Sequence, residues 1–185
     1  MFIFDKNTKM KAQFDFPRYT YNDYKNWKED WELVNGFPLQ FLPSATAKHN
    51  KIQGSFFFQS KLSMNENGTN CNCELFTELD WKINDETVLR PDLMIICGKP
   101  VDDYLEFPPV LIIEIISPTS IKKDRVMKFE IYREQGVKYY LMVDYTKETV
   151  EIFELIDNFY KQVHINIFQI DKNCKIEYDF NSIWK

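Results

Sequence analysis

Glycine is scarce in this chain, with five in 185 residues. Glycine is the default residue where backbone must turn left-handed or move freely, so long flexible loops are not expected. No apolar run approaches the ~18 residues that read as a membrane span. The first residues, Met1-Phe2-Ile3-Phe4-Asp5-Lys6, lack the apolar stretch of a signal peptide. The expectation is a soluble, cytoplasmic protein with no membrane partner. An excess of positive charge is missing too: 23 Lys and Arg against 28 Asp and Glu leave a net charge of −5. General nucleic-acid binders neutralise phosphates with basic surface, so any such ligand must be met by a local patch. Of four cysteines, Cys71 and Cys73 stand too close for a zinc knuckle, and no Cys-x-x-Cys or histidine pair completes a site. The simplest reading is reduced thiols in a reducing cytosol, with Cys97, at the end of an apolar run, as a core residue.

What is present is apolar and aromatic. Hydrophobic residues make up 44% and aromatics 16%, enough for a sizeable core. We read residues 1–18 as an N-terminal arm and 19–185 as one domain. Thr20 can cap a short helix, Tyr21 to Trp27. Trp31–Val34 and Phe37–Leu42 flank Asn35-Gly36, the strongest short hairpin signal. Ser44 or Thr46 then starts a helix to about Met64, with Ile52, Phe56 and Leu62 on its inner face. Strands are expected at 71–77, 81–83 and 92–97. Val110–Ile116 is apolar except for Glu114 and reads as a central strand. A helix follows from 119 to 134, with Gly136 as its C-terminal cap, and then a strand at 139–143. Residues 150–155, 159–163 and 175–178 read as a closing meander. Phe153, Phe159 and Tyr160 suit either a homodimer interface or the core. The fold class is α+β: a central mixed sheet flanked by helices, with antiparallel hairpins.

Three residues carry the chemistry. Glu114 interrupts a strand buried on both faces. A buried carboxylate costs several kcal/mol unless paired, coordinated or protonated, so it needs a partner. Asp92 opens its own apolar strand after Pro91. Two carboxylates on adjacent strands favour a hard cation, Mg²⁺ or Mn²⁺. On the helix 119–134, at about 100° per residue, Lys128 falls within the arc of Ile121, Met127, Phe129, Ile131 and Tyr132. Facing the sheet, its ammonium would meet the carboxylates. The plainer alternatives are a structural ion pair for Glu114, a turn for Pro91-Asp92, and a snorkelling Lys128 paired with Asp124. Glu32 is either a fourth carboxylate or an outward-facing strand residue. His49 shares the face of Ile52 and Phe56 and reads first as a satisfied core histidine.

These stretches resemble the Uma2 family, also called DUF820. The resemblance runs through Tyr19-Thr20, Trp31-Glu32-Leu33-Val34-Asn35-Gly36, Pro43-Ser44 and His49. It continues through Pro91-Asp92-Leu93, Glu114-Ile115-Ile116-Ser117-Pro118, Asp124, Lys128, Tyr132 and Gly136 to Asp144. It implies a restriction-endonuclease-like fold of the PD-(D/E)xK superfamily. It also implies Mg²⁺- or Mn²⁺-dependent hydrolysis of DNA by Asp92, Glu114, Lys128 and Glu32, with Asp92 and Glu114 as metal ligands. His49, Asp124, Ser117 and Tyr132 would support them. Ile116 occupies the position where the superfamily usually has its lysine; the Uma2-like pattern moves that lysine to the following helix, at Lys128. Asn35 replaces a more usual Asp, and Tyr140 a common Trp. The competing expectation is a catalytically silent nuclease fold used as a binding or assembly module.

Overall fold

Residues 16–28, 30–40, 46–66, 71–101, 103–116 and 123–185 are described by the computed structural model, with the side chains of 40 and 123–125 left aside. A one-turn helix α1 (Tyr21–Tyr24) follows the Thr20 cap, where Thr20 and Asp23 form a reciprocal capping box. Strands β1 (Trp31–Val34) and β2 (Phe37–Gln40) pair antiparallel across Asn35-Gly36. Both turn residues have positive φ, 49° and 77°, the geometry that makes Asn-Gly the preferred two-residue turn. Upstream of α1, Arg18 reaches Asn35 O and Glu86, and the Tyr19 amide donates to Gly36 O.

Helix α2 (Ala47–Glu66) begins where the Thr46 hydroxyl accepts the His49 amide. It buries Ile52 and Phe56 as the spacing predicts, but Leu62 is 49% exposed. Ser60, Ser63 and Met64 face inward instead, because Ser60 bonds Tyr178 and Ser63 bonds the Glu177 backbone. Next come β3 (Glu74–Thr77), β4 (Trp81–Asn84), β5 (Thr87–Leu89), β6 (Leu93–Ile96) and β7 (Leu111–Ile116). Strand β5 has no counterpart in the sequence reading. A π-helical turn (Lys123–Lys128) leads into α3 (Phe129–Glu134), so the expected regular helix is wider at its start. Residues 117–122, which hold Ser117 and the start of that expected helix, lie outside the described residues. The helix ends with Val137 N bonding Tyr132 O and Gly136 N bonding Arg133 O, around Gly136 at φ 79°.

Strands β8 (Tyr139–Asp144), β9 (Thr149–Ile156), β10 (Phe159–Val163), β11 (Ile167–Asp171) and β12 (Cys174–Glu177) complete the chain. The expected meander divides: β9 and β10 extend the main sheet, while β12 pairs with β11, a strand the sequence reading missed. The central sheet runs β10-β9-β8-β7-β6-β3, with β7 and β8 parallel and all other neighbours antiparallel. A four-stranded sheet, β2-β1-β5-β4, is separate.

Period-2 alternation sorts the central strands into two faces. Leu93, Ile95, Leu111, Ile113, Ile115 and Leu141 pack with Ile52 and Phe56 of α2 and with Phe168 and Ile176 of the β11–β12 hairpin. Met94, Ile96, Ile112, Ile116, Tyr140 and Met142 pack with Val34, Trp81 and Leu89 of the second sheet and Tyr132 of α3. Each buried Leu or Ile contributes about 1.5–3 kcal/mol by leaving water. Glu114 shares the second face by parity, so α3 sits over it. Phe153 and Tyr160 pack against this core, while Phe159 is 67% exposed.

The cysteine reading is corrected. Cys71 is joined to Cys174, and Cys73 to Cys97. Cys97 is only half-buried. The partners are 103 and 24 residues apart in sequence, so a search for local spacing could not find them. No helix among the described residues is long and apolar enough to cross a membrane.

Candidate active site

Lys128 is the last residue of the π-helical turn, and it is fully buried. Its Nζ lies 2.6 Å from Glu114 Oε1 and 2.9 Å from Glu32 Oε1. Glu114 projects from the middle of β7, and Glu32 from β1 of the other sheet. The three side chains therefore join the π turn to both sheets. The outward-facing alternative for Glu32 is excluded by its 0% exposure. Its parity matches Val34, which packs in the core between the sheets.

Two further donors fix the carboxylates. The Tyr132 hydroxyl, one helical turn beyond Lys128, donates to Glu114 Oε1 at 2.6 Å. Burial, then the negative charges of Glu114 and Glu32, push the Tyr132 pKa well above its ordinary value, so the phenol stays a donor. The Arg90 backbone amide donates to Glu32 Oε1 at 2.9 Å. Arg90 was not singled out in the sequence, although it directly precedes Pro91-Asp92. Its guanidinium binds Asp80 and Asp30, each at 2.7 Å, anchoring the segment that presents Asp92.

Asp92 approaches from β6. The registered pairs Leu93↔Ile113 and Met94↔Ile112, continued by one residue, set Asp92 across from Glu114. Asp92 Oδ2 accepts the Ile115 amide at 2.6 Å, and Oδ1 lies 3.2 Å from His49 Nε2. His49 is thus not merely a core histidine. Burial alone would lower its pKa, but the hydrogen bond and charge of Asp92 outweigh burial and hold it above the ordinary value. The side chains of Asp92 and His49 remain 14% and 12% exposed, whereas the Lys128 network is sealed. Ser117 and the Asp124 side chain, expected to support the site, fall outside the described residues.

The donor set bears on the expected cation. Glu114 on β7 and Asp92, just before β6, carry hard carboxylate oxygens. Mg²⁺ is commonly held by one or two carboxylates plus water and substrate phosphate, and Asp92 and Glu114 are donors of that type.

A family model described as "Uma2: Putative restriction endonuclease" matches residues 16–176. The chain belongs to the Uma2 family. Among curated proteins none matches. A solved structure titled as a putative nuclease belonging to DUF820 from Anabaena variabilis superposes with a TM-score of 0.68. It is 14% identical, and the match covers 89% of this chain and 97% of that one. At that identity the likeness establishes the fold: α+β, with mixed and antiparallel sheets, similar to that structure. The Uma2 match spans both sheets and every element that carries Glu32, Asp92, Glu114 and Lys128.

Proposed function

We propose that this Uma2 protein hydrolyses DNA phosphodiester bonds with a divalent metal, Mg²⁺ or Mn²⁺, held by Asp92 and Glu114. The observation that carries the reading is the fully buried Lys128, 2.6 Å from Glu114 on β7, the strand that pairs with the one Asp92 precedes. A metal bound there supplies a polarised phosphoryl oxygen and a more acidic water. The chain's own residues supply the rest. Lys128 keeps a fixed positive charge beside the centre, in surroundings where charge is poorly screened. Glu32 and the Arg90 amide hold that ammonium and its partner in place. Tyr132 restrains Glu114. His49 orients the Asp92 carboxylate through Oδ1 while the Ile115 amide holds Oδ2.

The test is cleavage of supercoiled, linear and single-stranded DNA by the purified chain with Mg²⁺ or Mn²⁺. Metal-dependent nicking or cutting is expected, falling at least about 100-fold in Asp92→Asn, because loss of a ligand exceeds the cost of losing an outer-shell partner. Absence of both metal binding and cleavage on every DNA form would sink the proposal.

Two observations favour a second reading. The Lys128 and Glu114 side chains are only 1% and 4% exposed, as in a structural ion cluster, and the net charge is −5. A nuclease fold kept as a binding or assembly module would then bind partners without turnover in either metal.

A further inference from the structure

The four cysteines come from three separate places in the fold. Cys71 and Cys73 lie just before β3, Cys97 just after β6, and Cys174 opens β12. Strands β3 and β6 are antiparallel neighbours at the sheet edge, with Glu74 opposite Ile96. That pairing sets Cys73 against Cys97. The β11–β12 hairpin packs on the adjacent core and delivers Cys174 to Cys71. The sulfurs of Cys71, Cys73 and Cys174 lie within 4.8 Å of one another, and Cys97 is bonded to Cys73. Two disulfides alone require only that each pair meet. Cys71 and Cys73 stand two residues apart, which brings both pairs to one spot.

We propose that these four cysteines, when reduced, form a tetrahedral thiolate site for one Zn²⁺. A zinc–sulfur distance of about 2.3 Å puts thiolate sulfurs about 3.8 Å apart in a tetrahedron. Reduction breaks the two S–S bonds; side-chain torsions then open each bonded pair to that spacing, draw Cys71, Cys73 and Cys174 together from within 4.8 Å, and bring in Cys97 beside Cys73. Cys174 and Cys73 are buried, which shields the thiolates from competing water, while Cys71 and Cys97 are half-buried. An open cavity of about 570 Å³ borders Cys71, Cys73 and Cys97 and gives an ion a route in. Lys99 also lines it and offsets part of the negative charge of a four-thiolate centre. Among the described residues this is the one group of three or more ligating side chains so closely placed.

The chemistry balances. Two dithiol molecules reduce the two disulfides, each giving two electrons and two protons and becoming a cyclic disulfide. Four protein thiols result. Binding of Zn²⁺ then displaces four protons to buffer. The site is separate from the Asp92–Glu114–Lys128 centre, and neither proposal depends on the other.

The experiment uses the full chain, reduced with dithiothreitol, freed of reductant under anaerobic conditions, and titrated with Zn²⁺ against a chromogenic chelator. One equivalent per chain is expected. Co²⁺ in its place is expected to give thiolate-to-cobalt charge transfer and the ligand-field bands of a tetrahedral site. Cys97→Ser and Cys174→Ser should each weaken zinc binding at least about 100-fold, while replacement of the exposed His164 by Ala leaves it unchanged. Circular dichroism of each variant, with and without metal, separates lost binding from lost folding. The proposal is overturned if the reduced, folded protein takes up no zinc, if cobalt shows no thiolate coordination, or if the serine variants bind as the parent does. It is equally overturned if the disulfides resist dithiothreitol in the folded protein.

Discussion

Glu114 and Lys128 show how much one residue's surroundings matter. Replacing Lys128 by Met keeps most of its volume but deprives Glu114 and Glu32 of the ammonium both contact. Breaking a buried pair from one side costs about 3–5 kcal/mol. Urea unfolding of Lys128→Met should show a loss of that size, and adding Glu114→Gln should recover part of it. A full-size loss in the double variant would mean that packing, not charge, dominates. At the end of β8, Asp144 accepts from the Thr146 hydroxyl and from the amides of Thr146 and Lys147. Burial alone would raise its pKa, but these bonds outweigh burial and hold it below 3.8. A depressed carboxyl contributes stability above its unfolded pKa and loses it as pH falls through the lower folded value. The parent should therefore exceed Asp144→Asn in stability at neutral pH, and the gap should close as the pH falls below 3.8. Unfolding midpoints measured across that range check the sign.

At the scale of elements, local chemistry explains the parts that were readable. The Asn35-Gly36 turn, the apolar run of β7 and the inward arc of Lys128 and Tyr132 each rest on neighbours a few residues away. Gly136 is of the same kind. Its φ of 79° ends α3, and a Cβ there would meet nothing within 4 Å. Gly136→Ala should therefore cost backbone strain alone, about 1–2 kcal/mol, read as a lower unfolding midpoint without change in the denaturant slope. An unchanged midpoint would show that the cap relaxes elsewhere. Strand β5 escaped notice because it has three residues with charged neighbours, and β11 because its five residues alternate between exposed and buried, with only two apolar side chains buried. Their hydrogen bonds come from β1 and β4, and from β12. The π turn escaped for another reason: one extra residue per turn leaves no compositional mark.

Over the whole molecule, the C-terminal hairpin is tied to the central sheet by Cys71–Cys174, which spans 103 residues. A cross-link closing a loop of ~100 residues is worth up to about 4.7 kcal/mol in the chain-entropy account. Cys174→Ser should lose about 2–4 kcal/mol in oxidising buffer. The loss should vanish when both proteins are compared reduced and free of metal. A loss that persists there would place the effect in packing, since Cys174 is fully buried.

The sequence by itself determined the mixed sheet around β7, the inward-facing Lys128 and the likeness to Uma2 proteins, because turn chemistry, side-chain period and motif order are local properties of the chain. Only the tertiary structure decided that Glu32 joins Lys128, that His49 meets Asp92, and that Cys71 and Cys73 meet Cys174 and Cys97 from distant parts of the chain. Those contacts depend on where whole strands are carried by the folding of a long chain, and no short window of sequence records that position.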